Sequence, residues 1–391
     1  MKYSLVEVKN KATAQAFIEL PVRLYRQNPY WIRPLDKDIE KVFDPAQNKI
    51  FQHGECIRWL LQAPSGEVVG RVAAFINQKT VWADNDQPTG GMGFFECIDD
   101  RQAAFQLFDA CREWLAARGM EAMDGPINFG ERDSWWGLLV EGEAPPNFGM
   151  FYHFPYYQAF FTEYGFREYF KQFTYRRIVS DQLHRIVTAK AERILANPDY
   201  HFTTIDKKQL PKFAQDFCAI YNKGWAKHEG VPELTLEQAN HLIGQMKPII
   251  DERIAYFGYF KGEPIAFYIH IPDLNQAFKF MNNGKFNLLG IAKFLWFKYF
   301  LGFDKMIGLV FGVVPEHQGR GVEAAIVEFC RRIVQVPNFP YKTMEMNWIG
   351  DFNPKMMKVA EMVGGVPAKT HVTYRHLFDP KREFRKPTVI K

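Results

Sequence analysis

The chain has 391 residues, 47% of them hydrophobic and 24% charged, with a net charge of +5; this excludes a disordered tail protein and is too mild a balance to point to nucleic acid. Phe is the unusual residue: 36 Phe outnumber 28 Gly, although Gly is normally about 7% of a globular chain, so large cores or apolar pockets are expected. Five scattered cysteines (Cys56, Cys97, Cys111, Cys218, Cys330) without a CxxC pair argue against a disulfide framework or zinc knuckle and for a reducing compartment. The opening MKYSLVEVKNKATAQAF holds no signal-peptide stretch, and no window reaches the about 18 apolar residues of a membrane span; a cytoplasmic protein with no metal site is expected.

In chain order, the arm GEVVGRVAAFIN from Gly66 follows a short polar turn and reads as half of a β-hairpin. Residues 125–157 are rich in aromatic residues and turn formers. After Pro155 a helix-compatible stretch ends at Gly165 and leads into the strand-like FKQFTYRRI. Helical spacing then runs to Ala196 and is broken by Asn197 and Pro198. Residues 208–228 and 236–246 read as helices, 254–260 with the arm GEPIAFYIHI as a strand pair, and 306–314 as a buried strand. A loop and helix (315–336), a strand (341–348), a helix (353–362) and a last strand (370–378) complete the pattern of an α/β (α+β) mixed sheet with helices on its faces.

An internal echo sets the architecture. Pro155, Gly165 and the triplet Thr174, Tyr175, Arg176 recur 199 residues later as Pro354, Gly364 and Thr373, Tyr374, Arg375. The hairpin arms at Gly66 and Gly262 repeat at a spacing of 196. Two tandem domains of one fold are therefore expected, residues 1–185 and 200–391.

The stretch FGVVPEHQGRGVEAAIVEFCRRIV, residues 311–334, runs strand, glycine loop, helix. Gly319 and Gly321 leave the backbone bare where the loop enters the helix, so successive amides and the helix dipole can meet an anion, with Arg320 adding charge; phosphate is the natural guest. No GxxxxGK[ST] and no GxGxxG is present, which disfavours nucleotide hydrolysis and hydride transfer.

The strand followed by Pro315, Glu316, His317, Gln318, Gly319, Arg320 and Gly321 resembles the acyl-CoA signature of the GNAT superfamily of N-acyltransferases, Q/R-x-x-G-x-G/A. Asn353, Pro354 and the helix to Gly364 resemble that superfamily's second helix beside the pantetheine arm. The resemblance implies a sheet that splays open after the strand at 306–314, with acyl-CoA or acetyl-CoA held by Gly312, Val313, Val314, Gln318, Gly319, Arg320, Gly321, Val322 and Asn353. It also implies main-chain N–H groups around Gly312, Val313 and Val314 as oxyanion donors. Two departures stand out. Glu323 occupies a position where the signature has Gly or Ala, and Ala360 or Glu361 stands where the family often has a Tyr acid. The first half resembles the same fold more loosely, through Pro155, Tyr156, Tyr157, Tyr164, Gly165 and Phe166, and reads as a degenerate copy that no longer binds CoA. In layout the chain is similar to long tandem-domain bacterial members, a group that includes bacterial ceramide synthases, through PEHQGRGVEAA, MNNGKFNLLGIAKFLWFKYF and ERDSWWGLLVEG.

N-acylation needs a neutral amine, oxyanion donors and an acid for the thiolate. Glu345 and Asn347 alternate on one strand and so share a face; Glu345 is the first choice of base, against a carboxylate merely paired or solvated on that strand. His317 reads as a loop residue, His228 and Glu229 as an acceptor cover or plain surface charge, and His270 as a hydrogen-bonded core residue or a site group. Residues 125–157 line the acceptor pocket or pack the domains together. Residues 285–303 place Leu288, Ile291, Leu295 and Trp296 on one helical face, interrupted by Lys293 and Lys298; this reads as a core-packing helix, an acyl-chain wall or a peripheral membrane contact. The reading is an acyl-CoA-dependent N-acyltransferase acting on a primary, small-molecule or lipid-like amine, with a long-chain or sphingoid-base amine implied by the layout. The alternative is a non-catalytic lipid- or protein-binding module on the same fold.

Overall fold

The computed structural model describes residues 2–82, 87–224, 233–281 and 284–389. The strands in chain order are β1 Ser4–Glu7, β2 Gly54–Gln62, β3 Val68–Asn77, β4 Thr89–Cys97, β5 Ala122–Gly125, β6 Leu138–Glu141, β7 Arg167–Ile178, β8 Tyr200–Thr204, β9 Ala255–Phe260, β10 Glu263–Pro272, β11 Lys305–Val313, β12 Thr343–Gly350 and β13 Val366–Leu377. The helices are α1 Lys11–Leu24, α2 Asp36–Val42, α3 Arg101–Ala116, α4 Tyr157–Tyr164, α5 Arg185–Leu195, α6 Leu210–Gly224, α7 Leu236–Met246, α8 Asn275–Phe278, α9 Leu288–Trp296, α10 Val322–Val334 and α11 Pro354–Met362.

Local chemistry accounts for the elements around the site. Asn353 caps α11 by accepting from the Met356 amide, Pro354 takes the first helical position, and Gly364 follows the helix with φ +82°. Val322, Ala325, Ile326 and Cys330 on α10 are buried at helical spacing, and each large side chain hidden this way contributes about 2 kcal/mol. The α10 stripe packs on the same core as Val187, Ala191 and Ile194 of α5.

Among the described residues one mixed sheet of 13 strands runs in the order β1-β2-β3-β4-β5-β13-β7-β12-β11-β10-β9-β8, with β6 on β13. Two pairings are parallel, β4 with β5 and β11 with β12. The strands bearing the echoed Thr-Tyr-Arg triplets are exchanged: β7 lies against β12, and β13 lies against β5. The stretches 1–185 and 200–391 are thus interlocked, each receiving its last sheet strand from the other, and β7 and β13 pair together along the junction.

Candidate active site

At the end of β11 the chain turns through the glycine loop into α10. Gly321 is the N-cap of α10 with φ +104°, in the left-handed region, and an added Cβ would meet Ile194 Cγ1 of α5 at an ordinary contact of 3.4 Å; glycine is favoured there by conformation. Gly319 (φ +70°) has open space where a Cβ would project. The Gln318 amide group braces the loop by donating to the Val313 carbonyl at 2.8 Å, and Arg193 Nη2 donates to the Arg320 carbonyl at 2.9 Å. Gln318, Gly319 and Arg320 are exposed, so side chains do not plug the corner. The Gly319 N–H donates to the Glu323 carboxylate at 2.9 Å. The amides of Arg320, Gly321 and Val322 have no protein acceptor among the described residues. The corner therefore fits a diphosphate, with Glu323 occupying one donor in its place.

The parallel ladder between β11 and β12 runs only from Lys305↔Thr343 to Gly308↔Met346. Beyond it the strands part, and a cleft of about 220 Å³ opens, lined by β11 from Gly308 to Phe311, by β12, and by Asn353, Met356 and Ala360 of the following helix. Both strands are irregular where they separate. Leu309 is an extra residue against β10, between the pairs His270↔Gly308 and Ile269↔Val310. A second shift on β12 lies between Met346 and Ile349, at Asn347 and Trp348. Such bulges bend and twist a strand, so the gap opens at residue 309, earlier than the expected 312–314. Gly312 and Val313 pair with Phe267 and Ala266 of β10 and leave their other edge free of a strand. Val314 instead donates its N–H to the Ile265 carbonyl. Residues 306–314 are buried as expected at both ends, whereas Leu309 is 46% exposed.

Asn347 and Asn353 both line the cleft. Ala360 is fully buried in its wall and Glu361 is exposed, so α11 supplies no acid there. Among the described lining residues Tyr268 carries the one side-chain hydroxyl, bonded to Met344 Sδ at 3.2 Å. Burial holds the Tyr268 pKa far above its usual value, so the group stays protonated.

Glu345 is fully buried and committed elsewhere. Its Oε1 accepts from Arg176 at 2.6 Å and its Oε2 from Lys369 at 2.7 Å. Burial pushes its pKa up, but the charges of Lys369, Lys305 and Arg176 outweigh that and bring it to about 2. A carboxylate held there is a poor proton acceptor near neutrality. The first half repeats the arrangement: Arg375 on β13 holds Asp124 on β5 at 2.6 Å, in register as Arg176 is with Glu345. The echoed triplet thus ends in an arginine that fastens each exchanged strand to its host, and Glu345 takes the structural of its two sequence readings.

Asn147, from the 125–157 segment, connects this network to the cleft. Its Nδ2 donates to Asn347 Oδ1 at 2.6 Å, and its Oδ1 accepts from Lys305 at 2.9 Å and from Lys369 at 3.4 Å. Nearby, Phe148 N–H donates to Asp273 and Asn275 donates to the Pro146 carbonyl. The segment therefore packs the halves together, and its contact with Asn347 also reaches the cleft edge. Composition marked the segment, but no sequence signal singled out Asn147 or Lys369.

The histidines separate. His270 is a core residue, its Nδ1 2.9 Å from the Ile254 carbonyl and its Nε2 3.1 Å from Met344 Sδ; burial lowers its pKa to about 4. His317 lies in the loop beside Tyr200 and Phe260, its pKa lowered by burial and then by Arg320. His228 and Glu229 fall outside the described residues. Leu288, Ile291, Leu295 and Trp296 are exposed, while Gly290, Phe294 and Phe297 form the buried side of that helical segment.

The overall fold, with one parallel strand pair per half, superposes on solved structures. A tandem GNAT protein from the clavulanic acid biosynthesis pathway superposes over 97% of this chain and 100% of its own, with a TM-score of 0.54 at 11% identity. The chain has the tandem GNAT fold. A GCN5-related glucosamine N-acetyltransferase region of a fungal multi-domain GH3 β-N-acetylglucosaminidase matches this chain with a TM-score of 0.53 at 12% identity, over 96% of this chain and 38% of that one. In sequence the chain is 28% identical over 376 residues to the bacterial ceramide synthase of Caulobacter vibrioides, covering 95% of this chain and 96% of that protein. It is 26% identical over 381 residues to protein YghO of Escherichia coli, covering 93% of each. No family model matches the chain.

Proposed function

We propose that this protein is an acyl-CoA-dependent N-acyltransferase acting through its second half on a primary amine, with a long-chain amine as acceptor. The observation that carries the reading is the parting of β11 from β12 after Gly308↔Met346, which leaves a cleft of about 220 Å³ beside an exposed glycine corner. The diphosphate would lie at the amides of Arg320, Gly321 and Val322, and the pantetheine arm along the free edge of β11. An N–H at the Leu309 bulge would face the thioester oxygen as it gains charge, an interaction worth about 3 kcal/mol in comparable sites. The amine nitrogen bonds to the thioester carbon as the carbon–sulfur bond breaks; the nitrogen gives its proton to water and the departing sulfur takes one from water, because the buried Tyr268 hydroxyl, with its pKa held far above that of a thiol, is a poor donor. The long-chain acceptor is supported by the near full-length similarity to a protein named bacterial ceramide synthase. The cleft is smaller than the about 300–1,000 Å³ that encloses a drug-sized ligand, so a long acyl chain would extend past it.

The test is thiol release from acetyl-, octanoyl- and palmitoyl-CoA with a panel of short amines and long-chain amino alcohols. Amine-dependent thiol release with matching amide is expected; no release with any pair overturns the reading. Two observations favour the second reading, a binding module without chemistry: Glu323 occupies the Gly319 amide, and no carboxylate or histidine lines the cleft among the described residues. Acyl-CoA binding with no turnover would select it.

A further inference from the structure

The segment that leaves the sheet at the end of β10 and returns at β11 carries a large apolar surface with nothing on it. Leu288 is 87% exposed, Phe300 78% and Tyr299 72%, and Phe286, Leu289, Ile291, Leu295, Trp296 and Leu301 are exposed beside them. Phe294 and Phe297 point the other way, into the core that includes Phe278 and Phe303. The helical segment is thus apolar on both sides, and its outer side faces solvent. Scattered exposed apolar residues need no explanation, but a contiguous patch of this kind marks a contact surface.

Charge identifies what it meets. Residues 279–303 hold four lysines, Lys279, Lys285, Lys293 and Lys298, and no aspartate or glutamate. Lys37 joins the rim, its ammonium 4.8 Å from the Phe286 ring. Asp36, paired with Arg33, also faces the Lys285 charge, and Asp38 faces that of Lys37, so the excess positive charge of the rim rests on Lys279, Lys293 and Lys298. Trp296 and Tyr299 are exposed in the segment, residue types that settle at the polar boundary of a bilayer. No helix among the described residues is long and apolar enough to cross a membrane. A segment with an apolar outer side and a lysine rim suits the headgroup layer of an anionic leaflet, where burial and charge act together.

Position gives the contact a use. The apolar segment joins β11 at its first residue, Lys305, whereas the glycine corner follows its last, Val313. A bilayer under residues 286–301 would lie at the end of the strand opposite the corner, leaving that corner open to water. We propose that residues 286–301 dock this protein on the surface of an anionic membrane. The proposal stands whether or not the protein transfers acyl groups, because it rests on exposure and charge outside the cleft.

Sedimentation of the full-length protein with vesicles tests it, using phosphatidylcholine alone and phosphatidylcholine with one third phosphatidylglycerol. Binding to the anionic vesicles is expected to be about tenfold or more tighter than to the neutral ones and to weaken in about 1 M NaCl. The double variant Leu288→Glu, Phe300→Glu replaces two exposed side chains, so its circular dichroism and Tm should match the parent while vesicle binding drops about tenfold or more. Wild-type protein that stays in the supernatant with both compositions, equal binding to both, or a folded double variant that sediments like the parent overturns the proposal. A wild-type dimer in analytical ultracentrifugation that the double variant dissolves would assign the surface to a second copy and overturn it too. Acetyl-CoA binding without vesicles reports on the cleft separately, so failure of docking and failure of the acyl-transfer reading are distinguishable.

Discussion

At Glu345 one carboxylate is shared between Lys369 and Arg176, and at Asp124 one is held by Arg375; the two sites occupy matching places where β7 and β13 meet their host strands. Glu345→Gln would leave Lys369, 2% exposed, without its counter-charge, and removing one partner of a buried pair costs about 3–5 kcal/mol. Urea unfolding should show that loss in the midpoint; a general base would instead show normal stability and a lost turnover rate. Glu323 gives the second prediction at this scale. Its carboxylate occupies the Gly319 amide where a diphosphate is proposed to bind, so Glu323→Gln should tighten acyl-CoA binding several-fold by calorimetry, since repulsion between like charges near a surface is of order 1 kcal/mol or more. Unchanged or weaker affinity would place the diphosphate elsewhere. The arginines of the echoed triplets were visible in the sequence as a repeat, but their partners were not. Which acid faces which strand depends on the exchange of β7 and β13, and no local pattern encodes a pairing between residues so far apart.

Among the elements, β11 decides the site. Its apolar run was legible as a buried strand, and Gly319 and Gly321 were legible as a corner because a left-handed backbone leaves a sequence mark. The bulge at Leu309 leaves none: it changes register, not composition, and so the expected opening at 312–314 fell later than the opening at 309. Helix α11 shows the same division. Its cap at Asn353, its Pro354 start and the Gly364 beyond it could be read directly, whereas the inward aim of Met356 and Ala360 needed the fold. Met356 is half-buried in the cleft wall. Replacing it with Trp should fill the cleft and weaken acyl-CoA binding by about tenfold or more, with a Tm shift of only a few degrees because the side chain can enter open space rather than a packed core. Unaltered binding would show that the thioester does not pass between β11 and β12.

For the molecule as a whole, the tandem repeat was readable from the sequence, but the exchange of the two long strands was not. Each half gives its final strand to the other, so residues 200–391 alone would lack β7, and β12 would lose its antiparallel partner over Thr343–Gly350. β13 would also lose both β5 and β7. That fragment should be unfolded or aggregated by circular dichroism and size exclusion, and co-expression with residues 1–199 should restore a soluble complex; a stable, acyl-CoA-binding fragment would show that the exchange is dispensable. The interlocked sheet also explains why Asn147, far away in sequence, can reach Asn347 at the cleft edge. The most direct measurement of the whole account is hydrogen–deuterium exchange of the full chain with and without palmitoyl-CoA. The account predicts slowed exchange at residues 309–313 and 319–322 together, from the free edge of β11 and the glycine corner. Binding that protects other segments and leaves both of these unchanged, or no binding, would contradict it.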